Sequence, residues 1–351
     1  MLALLTTGTS FAPPNQAPRL VHPCFDPSCP HWNDTKGERI EAHSAGLLQS
    51  PTDGRWYWYG ESKKTGTAHL ADHGVNCYSA PDISGPWTFE GQVFHQSDIT
   101  VPGKSGPFIV ERPKVLYNAA TKKFVMWFHL DDDGYKYRHA GVAVASSPND
   151  HFTFVHALQP DGIPSLDMSL WRDPVDSKAY FIRSCDNSYT GISRLTPDYL
   201  NSTGLISRHD VFEGMALFRH PNGTYYCIGS HLTGWNPNPL MLFRAAGATL
   251  DDPQWVDMGN PTHDSTSFNT QPTYVVSFTP TTGAPYFVYL ADNWEHGGPN
   301  GLVDASYVWL PLKFGANDVT LSRSEAWDLD DPFGEGAGVV EQEVLSNRSL
   351  S

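Results

Sequence analysis

A chain of 351 residues with 40% hydrophobic residues can form a full core, which excludes global disorder, while length alone leaves one large domain or two open. Aromatic residues reach 13% and charged residues only 17%, a balance that suits an all-β protein with an aromatic-lined groove. The formal net charge of −15 argues against nucleic acid or an anionic membrane surface as partner, since both call for a basic face, and no apolar run is long enough for a spanning helix.

Residues 1–33 read as an N-terminal extension. Its start, Met1 to Ala12, is mildly apolar but lacks the basic region of a signal peptide. Cys24 and Cys29, in HPCFDPSCPHW, are close enough for a local disulfide, whereas Cys77, Cys185 and Cys227 sit in apolar runs as buried thiols or one pair plus one free thiol. No Cys/His spacing resembles a zinc site, and no metal or cofactor is expected. Four Asn-x-Ser/Thr sequons, at Asn33, Asn201, Asn222 and Asn347, point to a secreted glycoprotein.

From residue 34 to residue 333 the chain repeats one unit five times. Each unit has an apolar run (SAGLLQ, PKVLYN, MSLWRD, GMALFR, PTYVVS), a turn (PTDG, NAATK, PVDS, PNG, TTGA) and an aromatic run (RWYWYGES, KFVMWFHL, AYFIRSCD, TYYCIGSH, PYFVYLAD). A third apolar run follows, beginning near Gly74, Gly141, Gly191, Pro239 and Ala305. Runs this short, rich in β-branched and aromatic residues and separated by turn formers, are strands. Five copies of a three-stranded antiparallel unit predict a five-bladed β-propeller in one domain. RSEAWDLDDPF, from Arg323, is expected to close the ring, and residues 334–351 form a polar tail.

The repeat picks out His43, Glu111, Asp167, Glu213 and Gln271, which open the first strand of each unit and should point into the funnel on the propeller axis. Three carboxylates, an imidazole and an amide on one axis are costly to bury unless they are paired or used. A hydrogen-bonded polar plug is the plain alternative. Hydrolysis of a sugar acetal needs a carboxylic acid to protonate the leaving oxygen, and clustered carboxylates raise one another's pKa values. Trp235, in HLTGWNPNP, and Trp58 are candidates to stack on a sugar face. The acidic run Asp131 to Asp133 lacks the spaced ligands of a calcium loop and reads as a solvated loop.

IEAHSAGLL, WYWYGES, GVNCYSAPDISGPW, ERPKVLYNAATKKFVMWFH, DMSLW, LTPDYL and TGWNPNP resemble the family-43 glycoside hydrolases, and most of all their exo-β-1,3-galactanase branch, from about Asp34 to Asp330. The resemblance implies an inverting exo-hydrolase that acts, as a monomer, on polysaccharide or oligosaccharide and releases galactose from β-1,3-galactan. By position, Glu213 resembles the general acid and Asp167 the carboxylate that tunes and orients it. Glu111 resembles a carboxylate that binds the sugar. The first blade reads EAHSAG, without the Asp base common in the family, and Gln271 stands where the galactanase branch positions or activates water. A neutral amide is a poor base, so that role needs a tautomer shift or pure positioning. Glu61, Tyr135, Thr233 and Trp235 resemble the rest of the terminal-sugar pocket, with Arg112, Asp186, Asn187 and His43 as further contacts. The string FEGMALF around the acid, where the family has Glu-Ala-Pro, departs from the pattern. Another family-43 specificity (α-L-arabinofuranosidase or β-galactofuranosidase) and a non-catalytic glycan-binding propeller stay open as alternatives.

Overall fold

The computed structural model describes residues 17–335 apart from 26–28, 30–31, 64–73, 211, 246–248, 252 and 295–301; the start of the chain, the tail beyond 335 and the sequon at Asn347 lie outside the described residues. The described residues form five four-stranded antiparallel sheets. Their innermost strands are His43–Gln49 (blade I), Phe108–Asn118 (blade II), Ser165–Arg172 (blade III), Glu213–Arg219 (blade IV) and Gln271–Phe278 (blade V). Each packs on the innermost strand of the next blade, and the fifth packs on the first, so the sheets close into the five-bladed propeller.

Packing between blades explains the aromatic runs. The second strand of a blade is covered on both faces, so both sets of alternate side chains are apolar. In blade I, Trp56 and Trp58 face blade V, while Tyr57 and Tyr59 face blade II. In blade II, Phe124, Met126 and Phe128 face blade I, and Val125 and Trp127 face blade III. Two further apolar seams join blade III to IV and blade IV to V.

A fourth, outer strand completes each blade beyond the three expected: Thr88–His95, Thr153–Leu158, Ser202–His209, Val256–Gly259 and Val319–Leu321. These strands carry few buried residues, as in Thr88–His95 and Val256–Gly259. Apolar periodicity therefore does not mark them.

Among the described residues no strand is shared between blades V and I, and side chains close this seam instead. Trp58 is fully buried among Trp32, Tyr78, Trp87, Tyr307 and Trp309, and its indole donates to Ala42 O at 3.0 Å. It is therefore a core residue and not a sugar platform. The expected closing segment works through a small ribbon in which Trp327–Asp328 pair with Leu20–Val21. Arg19, just before that ribbon, binds both Asp330 and Asp82. Cys24 and Cys29 are not joined by a disulfide. The Cys24 backbone is instead tied to blade V through Tyr307 O and Ser306 Oγ, which turns its thiol toward the Cys29 carbonyl.

Trp58→Ala is expected to cost about 3–5 kcal/mol, the usual price of emptying a large aromatic site. Thermal unfolding should show a melting temperature several degrees lower, and an unchanged one would contradict this account of the closing seam.

Candidate active site

All five innermost strands are interrupted near the axis. Strand register shifts between His43 and Gly46, Glu111 and Lys114, Ser165 and Met168, Glu213 and Ala216, and Pro272 and Tyr274. A bulge bends a strand and re-aims a side chain, so the repeat places one re-aimed residue per blade at the mouth of the funnel. Ser44, Arg112 and Gly214, each directly after a funnel residue, have φ of 49°, 53° and 59°. Only Gly214 lacks a Cβ, which would meet Pro272 O at 2.8 Å and Gln271 Cγ at 2.9 Å.

The bulges surround a cavity of about 310 Å³ lined by Glu111, Arg112, Tyr135, Asp167, Asn187, Glu213, Trp235 and Gln271, together with Ser44, His129, Arg138, Leu166 and Gly234. Eight of the residues expected from sequence thus meet in one pocket. The others lie around it. Thr233 uses its hydroxyl within its own turn, donating to Asn236 O and accepting from Asn238 Nδ2, each at 2.6 Å. Asp186 sits on the rim, paired with Arg138. Two expected sugar contacts do not reach the pocket. His43 is fully buried and stacked on Tyr307, and the bulge brings Ser44 to the wall in its place. Glu61 is fully buried and paired with Lys63 at 2.9 Å.

The carboxyl groups of the pocket differ sharply. Burial, and after it the negative charge of Asp167, push Glu213 up to about 8, although Arg112 works in the opposite direction. Glu213 is therefore a neutral acid near pH 7. Asp167 accepts from Arg112 Nε at 2.7 Å and from the Gly214 N–H at 2.9 Å. Burial works against the charge on Glu111, but His129, Lys63 and Tyr135 outweigh it and hold the group at about 2. Tyr135 Oη donates to Glu111 at 2.6 Å, and His129 bridges Glu111 at 3.1 Å to Asp131 at 2.9 Å. Burial likewise opposes charge on His129, yet Asp131 and Glu111 raise it to about 10.

Asp131 is thus not part of a solvated loop. It is fully buried, and it accepts backbone N–H groups from Asp132, Tyr137 and Arg138. His129 lies directly opposite Glu111 in strand register, so counting across the hairpin is the one sequence signal that reveals it. Lys114 and Trp294 also escape the sequence reading. Lys114 is buried and lowered to about 7 by burial and by Arg112, and its ammonium donates to the carbonyls of Ser44 and Arg112. Trp294 donates its indole N–H to Gln271.

A ligand atom from each of Glu111, His129 and Asp167 falls within 4.8 Å of the others. As a metal site this set is already spent. The imidazolium of His129 gives a proton to a carboxylate from both nitrogens and has no lone pair to offer, and Arg112 neutralises Asp167. What the arrangement can do is hold one protonated carboxylic acid beside two carboxyl groups fixed by hydrogen bonds, the division of labour that acid-catalysed acetal cleavage requires.

The raised value of Glu213 has a consequence for stability. The folded state holds a proton that the unfolded chain, with a Glu value of about 4.3, releases. The contribution is complete below the unfolded value and is lost as pH rises through about 8. Glu213→Gln is therefore expected to unfold at higher temperature than the unsubstituted protein at neutral and mildly alkaline pH, with the difference shrinking toward about pH 4. A difference independent of pH would contradict the raised value.

No protein-family model and no curated protein sequence matches the chain, but solved structures do. A family-43 β-1,3-galactosidase with galactodeoxynojirimycin is 30% identical, with a TM-score of 0.74 over 85% of this chain and 98% of that one. An exo-β-1,3-galactanase from Clostridium thermocellum is 29% identical, with a TM-score of 0.76 over 90% of this chain and 68% of that one. An exo-β-1,3-galactanase from Phanerochaete chrysosporium with β-1,3-galactotriose is 29% identical, with a TM-score of 0.75 over 88% and 68% of the two chains. With the propeller, the protonated Glu213 and the paired Asp167 already in place, the chain belongs to glycoside hydrolase family 43.

Proposed function

We propose that the protein is an inverting exo-β-1,3-galactanase in which Glu213 protonates the departing oxygen while a water attacks the anomeric carbon from the opposite face and passes its proton to solvent, so that galactose is released from the non-reducing end. The observation that carries this reading is the contrast among the pocket's carboxyl groups, with Glu213 raised to about 8 beside Asp167, which is paired with Arg112, and Glu111 lowered to about 2. Asp167 orients and tunes the acid, both through its charge and through its bond to the Gly214 N–H that adjoins Glu213. Glu111, fixed by Tyr135 and His129, is an acceptor for sugar hydroxyls.

What the other carboxylates are bound to supports inversion. A retaining enzyme needs a second carboxylate free to attack the sugar. Here Asp167 is committed to Arg112, and Glu111 to His129 and Tyr135. A cavity of about 310 Å³ lies at the small end of ligand pockets, roughly 300–1,000 Å³, and suits removal of one terminal residue at a time. The choice of galactose and of the β-1,3 linkage rests on the similar proteins, one holding galactodeoxynojirimycin and another β-1,3-galactotriose. The reading extends to a secreted, glycosylated monomer, and the exposed positions of Asn33, Asn201 and Asn222 support its glycosylation.

Incubation with β-1,3-galactan and, separately, with an aryl α-L-arabinofuranoside should release galactose from the first and nothing from the second. Glu213→Gln is expected to lower kcat on galactan by about 10²–10⁴-fold, the usual worth of a general acid. Release of arabinose, or near-normal turnover in that variant, would overturn the assignment.

A further inference from the structure

We propose that Trp294 is a positioning residue for the proton donor, because its indole N–H, acting with Arg112, fixes the Gln271 amide with its nitrogen toward Glu213. The two ends of a Gln side chain have nearly the same shape, so their neighbours must decide which is which. One end of Gln271 meets Trp294 Nε1 at 2.8 Å and Arg112 Nη2 at 2.7 Å. Indole and guanidinium nitrogens donate and never accept, so this end is the carbonyl oxygen. The other end is the NH₂ group, which reaches Glu213 Oε1 at 3.2 Å and Ser230 Oγ at 3.3 Å. Ser230 gives its own proton to the Glu213 main-chain carbonyl and so is free to accept.

Two consequences follow for the chemistry. Both lone pairs of the Gln271 oxygen are used, which leaves none to draw a proton from water, so the residue acts in its ordinary amide form. Its N–H donors face the acid, and with Oε1 of Glu213 accepting, the proton of the acid rides on Oε2. When that proton leaves, the N–H remains on the new carboxylate and stabilises it. Two donors on the oxygen also polarise the amide and strengthen its N–H.

Trp294 is well placed to hold this geometry. It is buried, and it meets Trp235 of the pocket wall edge to face at 4.8 Å. The Lys63 ammonium, paired with Glu61, lies 5.8 Å from its ring centre. Other groups acting on the Glu213 carboxyl are Asp167, Arg112, Glu111 and the Thr233 main-chain amide, whereas the indole N–H bonds to Gln271.

The proposal rests on Glu213 being the proton donor, and its test does not depend on which sugar is cleaved. Trp294 is replaced by benzothienylalanine, which keeps the ring shape and puts sulfur where the N–H was, and in parallel by Trp294→Phe. The protein is labelled with ¹³C at the Glu carboxyl carbons, and Glu213→Gln assigns the resonance. Without the indole donor the amide is held by Arg112 alone, its N–H is less polarised and less firmly placed, the carboxylate of Glu213 loses support, and its titration midpoint rises. The expected rise is roughly 1–2 pH units, the scale of one lost hydrogen bond to an ionised group. On galactan, kcat should fall roughly tenfold with KM nearly unchanged, the pattern of an interaction made in the transition state. A midpoint equal to that of the unsubstituted protein in the benzothienylalanine variant overturns the proposal, whether or not stability changes. Absence of galactose release by the unsubstituted protein, with a midpoint that still moves, overturns the proposed substrate and leaves the positioning role standing.

Discussion

Arg112 is the interaction on which the site depends. Its guanidinium is almost wholly buried, and it reaches from the bulge of blade II to Asp167 of blade III at 2.7 Å and to Gln271 and Pro272 of blade V. Without it, Asp167 would keep only the Gly214 N–H, and Gln271 would lose one of the two donors that define its orientation. A buried cation of this kind is costly to desolvate and is retained only where its hydrogen bonds are well made. Here they are made to three separate groups. Arg112 also opposes the effect of burial and of Asp167 on Glu213.

The blades supply the rigidity that this cluster needs. Five seams of aromatic and branched side chains hold the innermost strands in place, and the closing seam concentrates Trp32, Trp58, Trp87, Trp309 and Trp327 where no shared strand joins the first blade to the last. Against that frame the axis can carry features that a softer fold would relax. These are left-handed Ser44 and Arg112, a buried Lys114 that satisfies their carbonyls, and an Asp–His–Glu chain from Asp131 through His129 to Glu111. Local strain and buried charge gathered at one point, with apolar packing elsewhere, is the pattern expected of a preorganised site.

The propeller was legible because each inner and second strand is buried on both faces, which writes continuous apolar and aromatic runs into the chain. The outer strands were not, because water covers much of their surface and their composition resembles that of loops. Among the funnel residues, Glu111, Asp167, Glu213 and Gln271 follow from their repeat position alone. His43 follows equally well, yet Tyr307 stacks on it and Ser44 takes its place, a consequence of bulge geometry that no spacing encodes. Glu61 likewise stays out of the pocket wall, buried and paired with Lys63. Asp131 looked solvated because it opens a run of three acidic residues. The hairpin turns it inward, against His129 and three backbone N–H groups, while Asp133 faces solvent.

The central claim is that one protonated acid acts alone and that neither neighbouring carboxylate attacks the sugar. Stereochemistry tests it most directly. Proton NMR of β-1,3-galactan digestion, recorded within the first minutes and before mutarotation, reports the anomer of the galactose first released. The arrangement of Glu213, Asp167 and Glu111 predicts α-galactose, the product of a single displacement by water. β-Galactose as the first product would require a covalent intermediate on one of the two carboxylates described as held in place, and would contradict the account.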